Sequence, residues 1–275
     1  MRNLDDLTKL CIHTITMKPW DIEVASEKFA AAGVKGITVW RDSIAGRNVK
    51  DTGAMIRAQG LQVVSLCRGG FFPSPEKHHR VAAIQDNLKA IDEAHDLGTN
   101  MIVLVCGAAP AQGLEASRQH ILEGIHEILP HAKAANVKLA IEPLHPMYAD
   151  TRSAINTLAQ ANDLAETVNS PFVGVAIDVY HVWWDPNLEG EINRCATNGN
   201  LFAFHICDWK VPTTDMLFDR GLMGEGCIPI PKIRGWVENA GFDGFNEVEI
   251  FSSKRWGEDQ DEYLKKIIAA YKQHS

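Results

Sequence analysis

None of the six cysteines stands in a Cys-x-x-Cys pair, so no dithiol redox motif is written in the chain and the thiols read as small buried hydrophobes. No segment approaches about 18 uninterrupted apolar residues, and the first residues hold no apolar leader. Neither a membrane span nor a secretory signal is expected, and the protein reads as cytoplasmic. Positive charge is not in excess either: 27 Lys and Arg against 35 Asp and Glu give a formal net charge of -8. That balance argues against affinity gained by neutralising nucleic-acid phosphates, so no nucleic-acid partner is expected. Finally, no Gly-x-Gly-x-x-Gly follows the first apolar run, and no Pro- or Gly-rich linker splits the chain. Both absences count against a dinucleotide-binding doubly wound sheet.

What the chain does have is material for a core, with 45% hydrophobic and 23% charged residues, arranged in a repeating alternation. Apolar runs of strand length lie at Cys11–Thr16, Gly36–Trp40, Gln62–Cys67, Met101–Val105, Lys138–Glu142, Gly174–Asp178, Phe202–Ile206 and Glu247–Phe251. Helical patterns fall between them, near Asp21–Ala32, Val49–Gln59, Glu76–Leu97, Glu115–Ala135, Arg152–Val168, Leu188–Thr197, Ile230–Asn239 and Glu258–Lys272. Gly33, Gly60, Gly98 and Gly241 stand where left-handed caps would end helices. Strand and helix alternating about eight times predict a parallel sheet closed as a single (β/α)8 TIM barrel, one domain over residues 1–275.

Four of the strands end in a polar residue on one face. Side chains alternate along a strand, so Lys138, Ala140 and Glu142 oppose Leu139 and Ile141, and Gly174, Ala176 and Asp178 oppose Val175 and Ile177. In the same way Leu201, Ala203 and His205 oppose Phe202, Phe204 and Ile206, while Glu247 and Glu249 oppose Val248 and Ile250. With bulky residues turned to the helices, Glu142, Asp178, His205 and Glu249 meet at the C-terminal mouth, where barrel enzymes keep their active sites. Three carboxylates and an imidazole suit one divalent ion, Mn2+ first, with Mg2+, Co2+ or Zn2+ as alternatives. Glu247 competes as a ligand but lies one inward position deeper.

The chain resembles the xylose-isomerase-like TIM-barrel superfamily of sugar isomerases and epimerases. The likeness rests on Ile141-Glu-Pro-Leu-His145, Ile177-Asp-Val-Tyr-His181, Phe204-His-Ile-Cys-Asp208, Gly224-Glu-Gly-Cys-Ile-Pro229 and Gly244-Phe-Asn-Glu-Val-Glu249. It implies metal ligands at Glu142, Asp178, His205 and Glu249. It also implies Glu142 and Glu249 as the acid/base pair that moves a proton beside the carbonyl of a keto-sugar, cyclitol or sugar phosphate. Substrate contacts are implied at His181 and Arg220, and homo-oligomers, dimers or tetramers, are common in the family.

His145, on the loop beyond Glu142, is a candidate separate base, and Asp208 a candidate partner for His205 or His181. Arg41, Arg68 and Lys210 follow strand ends, and Trp40, Trp183, Trp184 and Trp209 would suit stacking on a sugar ring. A distinct base at His145 would fit the alternative reading, a lyase or dehydratase that eliminates a β-substituent from a keto-inositol or 3-keto-glycoside. Apurinic endonucleases, which the superfamily also includes, need further histidines; the corresponding tips here read Leu66-Cys-Arg68 and Val105-Cys-Gly107, and Asp219-Arg-Gly221 offers no Asp-x-His. A small-molecule carbohydrate is the expected partner, with no membrane.

Overall fold

Eight strands pair in parallel around a closed ring in the computed structural model, which describes residues 6–275. They are Leu10–His13, Gly36–Trp40, Gln62–Gly70, Met101–Val105, Lys138–Glu142, Val173–Asp178, Leu201–Ile206 and Asn246–Val248. The first pairs with both the second and the eighth, so no edge is left open. A crossover helix follows each: Ile22–Ala31, Val49–Ala58, Lys77–Leu97, Leu114–Ala135, Leu158–Val168, Leu188–Thr197, Ile230–Asn239 and Gln260–His274. This is the predicted (β/α)8 barrel, and closure excludes the doubly wound alternative. Among the described residues no helix is long and apolar enough to cross a membrane.

Local chemistry sets the helix ends. The side chains of Asp21, Asn48, Thr157 and Asp259 each accept a backbone N–H from the first turn of the helix they precede. The four glycines expected as caps all have positive φ, between 83° and 99°.

Several boundaries differ from expectation for identifiable reasons. The first strand stops at His13, and Thr14–Met17 forms a 3-10 turn. Thr16 Oγ1 donates to the Val248 carbonyl at 3.0 Å and accepts from Ile250 N–H at 2.9 Å. A side-chain hydroxyl thus replaces the ladder, which also ends the eighth strand at Val248, short of Phe251. The helix expected from Arg152 begins only at Leu158. The intervening stretch is tied to the barrel mouth by Gly107, which donates to the Arg152 carbonyl and accepts from Ala154 N–H, both at 2.9 Å.

The interior follows the alternation. Ala140, Ala176 and Ala203 cluster inside the ring with Cys67, Met101 and Val103, each alanine two residues before a candidate ligand. Their small side chains leave room above for the polar groups. One pair departs from the expected faces: Phe202 packs on this inner cluster and Leu201 against the helix layer. The register shift between Val175 and Ala176, opposite Leu201 and Ala203, accounts for the exchange. Five cysteines are buried and free as expected, whereas Cys227 is exposed.

Candidate active site

Strand tips bring Glu142, Asp178, His205 and Glu249 together, with one donor atom from each within 4.8 Å of all the others. All four side chains are buried. Asp178 ends its strand, His205 stands one residue before the end of the next, and the two are paired in register. Glu142 ends the fifth strand, and Glu249 follows the eighth, held by its N–H to the Ile206 carbonyl at 3.2 Å. His205 turns Nδ1 to within 3.1 Å of Glu142 Oε1 and Nε2 to within 3.8 Å of Glu247 Oε2. Glu142 Oε1 and both His205 nitrogens lack a hydrogen-bond partner among the described residues.

Beneath this group lies a polar floor centred on Glu247. Its Oε2 accepts from Thr38 Oγ1 at 2.5 Å and lies 3.1 Å from His13 Nε2, with Ser65 Oγ donating at 3.4 Å. Glu247 is therefore committed below the ligand group, as its deeper position suggested. His13, which the sequence reading passed over, is fully buried, and its Nδ1 lies 3.1 Å from Glu249 Oε1. Burial opposes charge on His13, but the Glu249 and Glu247 carboxylates outweigh it and raise its pKa to about 9. The same competition, led by Glu247, raises His205 to about 9.

Arg220 closes one side. Its Nη1 donates to Asp178 Oδ2 at 2.8 Å and Glu249 Oε2 at 2.9 Å, and its Nη2 lies 3.2 Å from His181 Nε2. The guanidinium sits over the Tyr180 ring, 4.3 Å from its centroid. Burial pushes Asp178 up to about 7 against the pull of Arg220. It also opposes ionisation of Glu249, yet His13 and Arg220 hold that carboxyl well below its usual range. His181 is kept neutral by burial and by Arg220. With Nε2 facing an arginine donor, its proton belongs on Nδ1, which is buried and has no partner.

Other candidates lie elsewhere. Asp208 reaches neither histidine: its carboxylate accepts the backbone N–H groups of Trp209, Gly224, Gly226 and Ile228 at 2.8–2.9 Å. Instead of orienting an imidazole it folds the loop that carries Arg220. Gly226 fits there because a Cβ would stand 2.0 Å from the Trp209 carbonyl oxygen. His145 is half-buried between Trp209 and Trp184, its Nδ1 accepting Met147 N–H at 3.2 Å, and it does not line the cavity over the ligands. Burial lowers its pKa. Arg41 is held by Asp86 and Glu93, and Lys210 by Asp219. Of the four tryptophans only Trp40 lines the cavity; Trp209 stacks on Tyr180 at 4.8 Å.

The cavity walls include Leu144, Tyr148, Arg152, Leu217 and Phe251, none of which the motifs had singled out as site residues. Its free volume is about 20 Å3, room for a water and not for a sugar. The roof is the segment carrying Met216 and Leu217, whose Met216 carbonyl accepts the hydroxyls of Tyr148 and Tyr180.

The sequence profile described as "Xylose isomerase-like TIM barrel" matches residues 27–274. The chain belongs to this family. An inosose isomerase of Bacillus licheniformis is 25% identical over 69% of this chain and 67% of its own length. Protein SMc04130 from Sinorhizobium meliloti 1021 superposes with a TM-score of 0.93 at 46% identity, covering 97% of this chain and 98% of that one. The IOLI protein, solved with a bound zinc atom, superposes at 0.83 with 19% identity over 95% and 96% of the two chains.

The donor set of this xylose isomerase-like barrel fits a divalent cation. Four buried carboxylates, Glu142, Asp178, Glu247 and Glu249, stand against one fully buried arginine, Arg220, with Arg152 half-buried at the cavity wall, so among the described residues the site has surplus negative charge. That surplus is what holds protons on His13 and His205. A divalent ion would replace it more directly, taking the unpartnered Glu142 oxygen and His205 Nδ1 among its ligands.

Proposed function

We propose that the chain is a cytoplasmic, divalent-metal-dependent isomerase or epimerase of a keto-sugar, cyclitol or sugar phosphate, working by proton abstraction next to the carbonyl. The observation that carries this reading is the convergence of Glu142, Asp178, His205 and Glu249 within 4.8 Å at the barrel mouth, with buried donor atoms left unpartnered. Membership of the family, and the likeness to an inosose isomerase, support the substrate class. Three carboxylates and one imidazole favour Mn2+, with Zn2+ as the nearest alternative.

Bound there, the ion supplies a Lewis acid for a ketose carbonyl and its neighbouring hydroxyl. The chain's own residues supply the rest. Glu142 and Glu249 come from strands three apart around the ring, so one carboxylate removes the proton and the other returns it from a different side. Glu249 is kept ionised by His13 and Arg220, which suits it to start as the base. His181 offers an Nδ1–H to a substrate hydroxyl, and Arg220 holds Asp178 and Glu249 in place. Leu144, Leu217 and Phe251 keep bulk water away from the exchanging proton.

The β-elimination alternative wants a base separate from Glu142 and Glu249, and His145, with Nδ1 engaged by Met147 N–H, gives it little support. A turnover screen over ketoses, inososes and 3-keto-glycosides in D2O with added Mn2+ tests the proposal. The expected product is an isomer or epimer carrying solvent deuterium next to the carbonyl. Loss of water or release of an aglycone would establish the lyase instead, and metal-dependent cleavage of abasic DNA would overturn both.

A further inference from the structure

Arg68 and Arg152 stand at the barrel mouth with guanidinium groups that make neither a hydrogen bond nor an ion pair among the described residues. Every other described arginine donates to a carboxylate or a backbone carbonyl. Arg41 shows the usual arrangement, bidentate on Asp86 at 2.8 and 2.9 Å and 2.6 Å from Glu93. The two exceptions are close in space and share one wall of the site. Arg68 lies over the Phe71 ring, 4.2 Å from its centroid, and Arg152 is 5.8 Å from that of Tyr148. Phe71 and Tyr148 pack in one cluster with Val105 and Leu144, and Val105, Leu144, Tyr148 and Arg152 itself line the cavity over the metal ligands.

Neither arginine is a freely solvated surface group. Both are half-buried, and Arg152 is fixed through its backbone to Gly107 and Tyr148. Burial, and then the neighbouring Arg152 charge, hold Arg68 below its ordinary pKa, so the two cations repel one another across this wall. Asp86, bidentate on Arg41, offsets the Arg68 charge only in part, and two half-buried like charges without a hydrogen-bonded carboxylate of their own are unfavourable until an anion joins them. Guanidinium groups offer only donors, in a planar fork that matches the oxygens of a phosphate or carboxylate. In a chain of net charge -8, Arg152 lines the cavity that overlies the Glu142 and Glu249 carboxylates, and Arg68 stands beside it over Phe71, on the apolar cluster that forms the same wall.

We propose that Arg68 and Arg152 form an oxyanion subsite on this wall of the barrel mouth, so that the substrate is a keto-sugar bearing a phosphate or carboxylate group. This rests on the function proposed above for the metal site and narrows its substrate class.

The binding test titrates inorganic phosphate into chelator-treated protein at fixed ionic strength, followed by calorimetry; chelation removes the metal as a rival phosphate ligand. One-to-one saturable binding is expected, weakened at least about tenfold in Arg68→Gln and in Arg152→Gln, with Arg152→Lys intermediate because it keeps charge and loses the fork. Phosphate that fails to bind, or binds wild type and folded variants alike, overturns the subsite. The kinetic arm compares metal-loaded enzyme on a ketose, its phosphate ester and the corresponding keto-uronate. An anionic substrate is expected to be preferred at least about tenfold in kcat/KM, with the preference collapsing towards parity in Arg152→Gln; a general folding defect would lower both rates and leave the ratio. The larger preference identifies the anion as phosphate or carboxylate. A wild-type enzyme that prefers the neutral ketose refutes the subsite and leaves the metal-site reading intact. Arginine-dependent phosphate binding without turnover of any keto-sugar supports the subsite and refutes the isomerase reading.

Discussion

Glu142→Gln is expected to lower kcat by roughly a thousandfold while the fold survives. In the proposed function Glu142 both holds the cation and exchanges the substrate proton, and an amide can do neither well. The substitution is nearly isosteric, and the neighbour of Glu142 Oε1, His205 Nδ1 at 3.1 Å, is one that an amide oxygen can still face. The loss is therefore in chemistry. Glu249→Gln should lose activity comparably but at a cost in stability. Its carboxylate faces His13 Nδ1 at 3.1 Å and Arg220 Nη1 at 2.9 Å, so an amide nitrogen would meet a donor on one side or the other. About 1–3 kcal/mol is the usual penalty for such a mismatch. Single-turnover rates with saturating metal, alongside thermal melts, separate the two effects. Activity of Glu142→Gln within tenfold of wild type would remove Glu142 from proton transfer.

Glu247→Ala should instead be chiefly a stability mutant, costing about 3–5 kcal/mol, the range for breaking a buried ion pair by removing one partner. For a domain of this size that corresponds to a fall in Tm of roughly 10 °C. Glu247 is 1% exposed and gathers His13, Thr38 and Ser65 onto one oxygen, with His205 Nε2 3.8 Å away. Burial opposes its ionisation, but His205, His13 and Thr38 outweigh burial and hold its pKa below the usual carboxylate value. Alanine leaves these groups unpaired in the barrel interior and releases the far side of His205, so metal affinity should fall about 10–100-fold as well. A double variant with His13→Gln should lose less than the sum of its parts, because one buried pair is being removed twice. A Tm within about 2 °C of wild type would mean that the floor beneath the ligands contributes little to holding them.

The convergence of Glu142, Asp178, His205 and Glu249 was legible because strand alternation and burial act on consecutive residues. Ala140-Ile-Glu142, Ala176-Ile-Asp178 and Ala203-Phe-His205 each place a small inward residue under a polar one. His13 ends its strand in the same manner, yet Thr14-Ile-Thr16 continues a β-branched run that conceals the ending. The strand stops because the Thr16 hydroxyl takes over bonds from the ladder, a long-range event with no local mark. Asp208 was read as a partner for His205 or His181, and its actual role was hidden for a related reason, since its four partners lie at positions 209, 224, 226 and 228. Arg152 was hidden inside a stretch without helix breakers and became a site residue only because Gly107 holds it to the mouth. Periodicity reports faces; it does not report which loops fold back over a barrel end.

The central claim is that Glu142, Asp178, His205 and Glu249 hold one divalent ion, and metal content tests it most directly. Elemental analysis after dialysis against limiting Mn2+ or Zn2+ should find one equivalent per chain in the wild type. Well under half of that is expected in Glu142→Gln, Asp178→Asn, His205→Gln and Glu249→Gln, each still folded by circular dichroism. Wild-type protein that binds no metal, or variants that retain a full equivalent, would contradict the account.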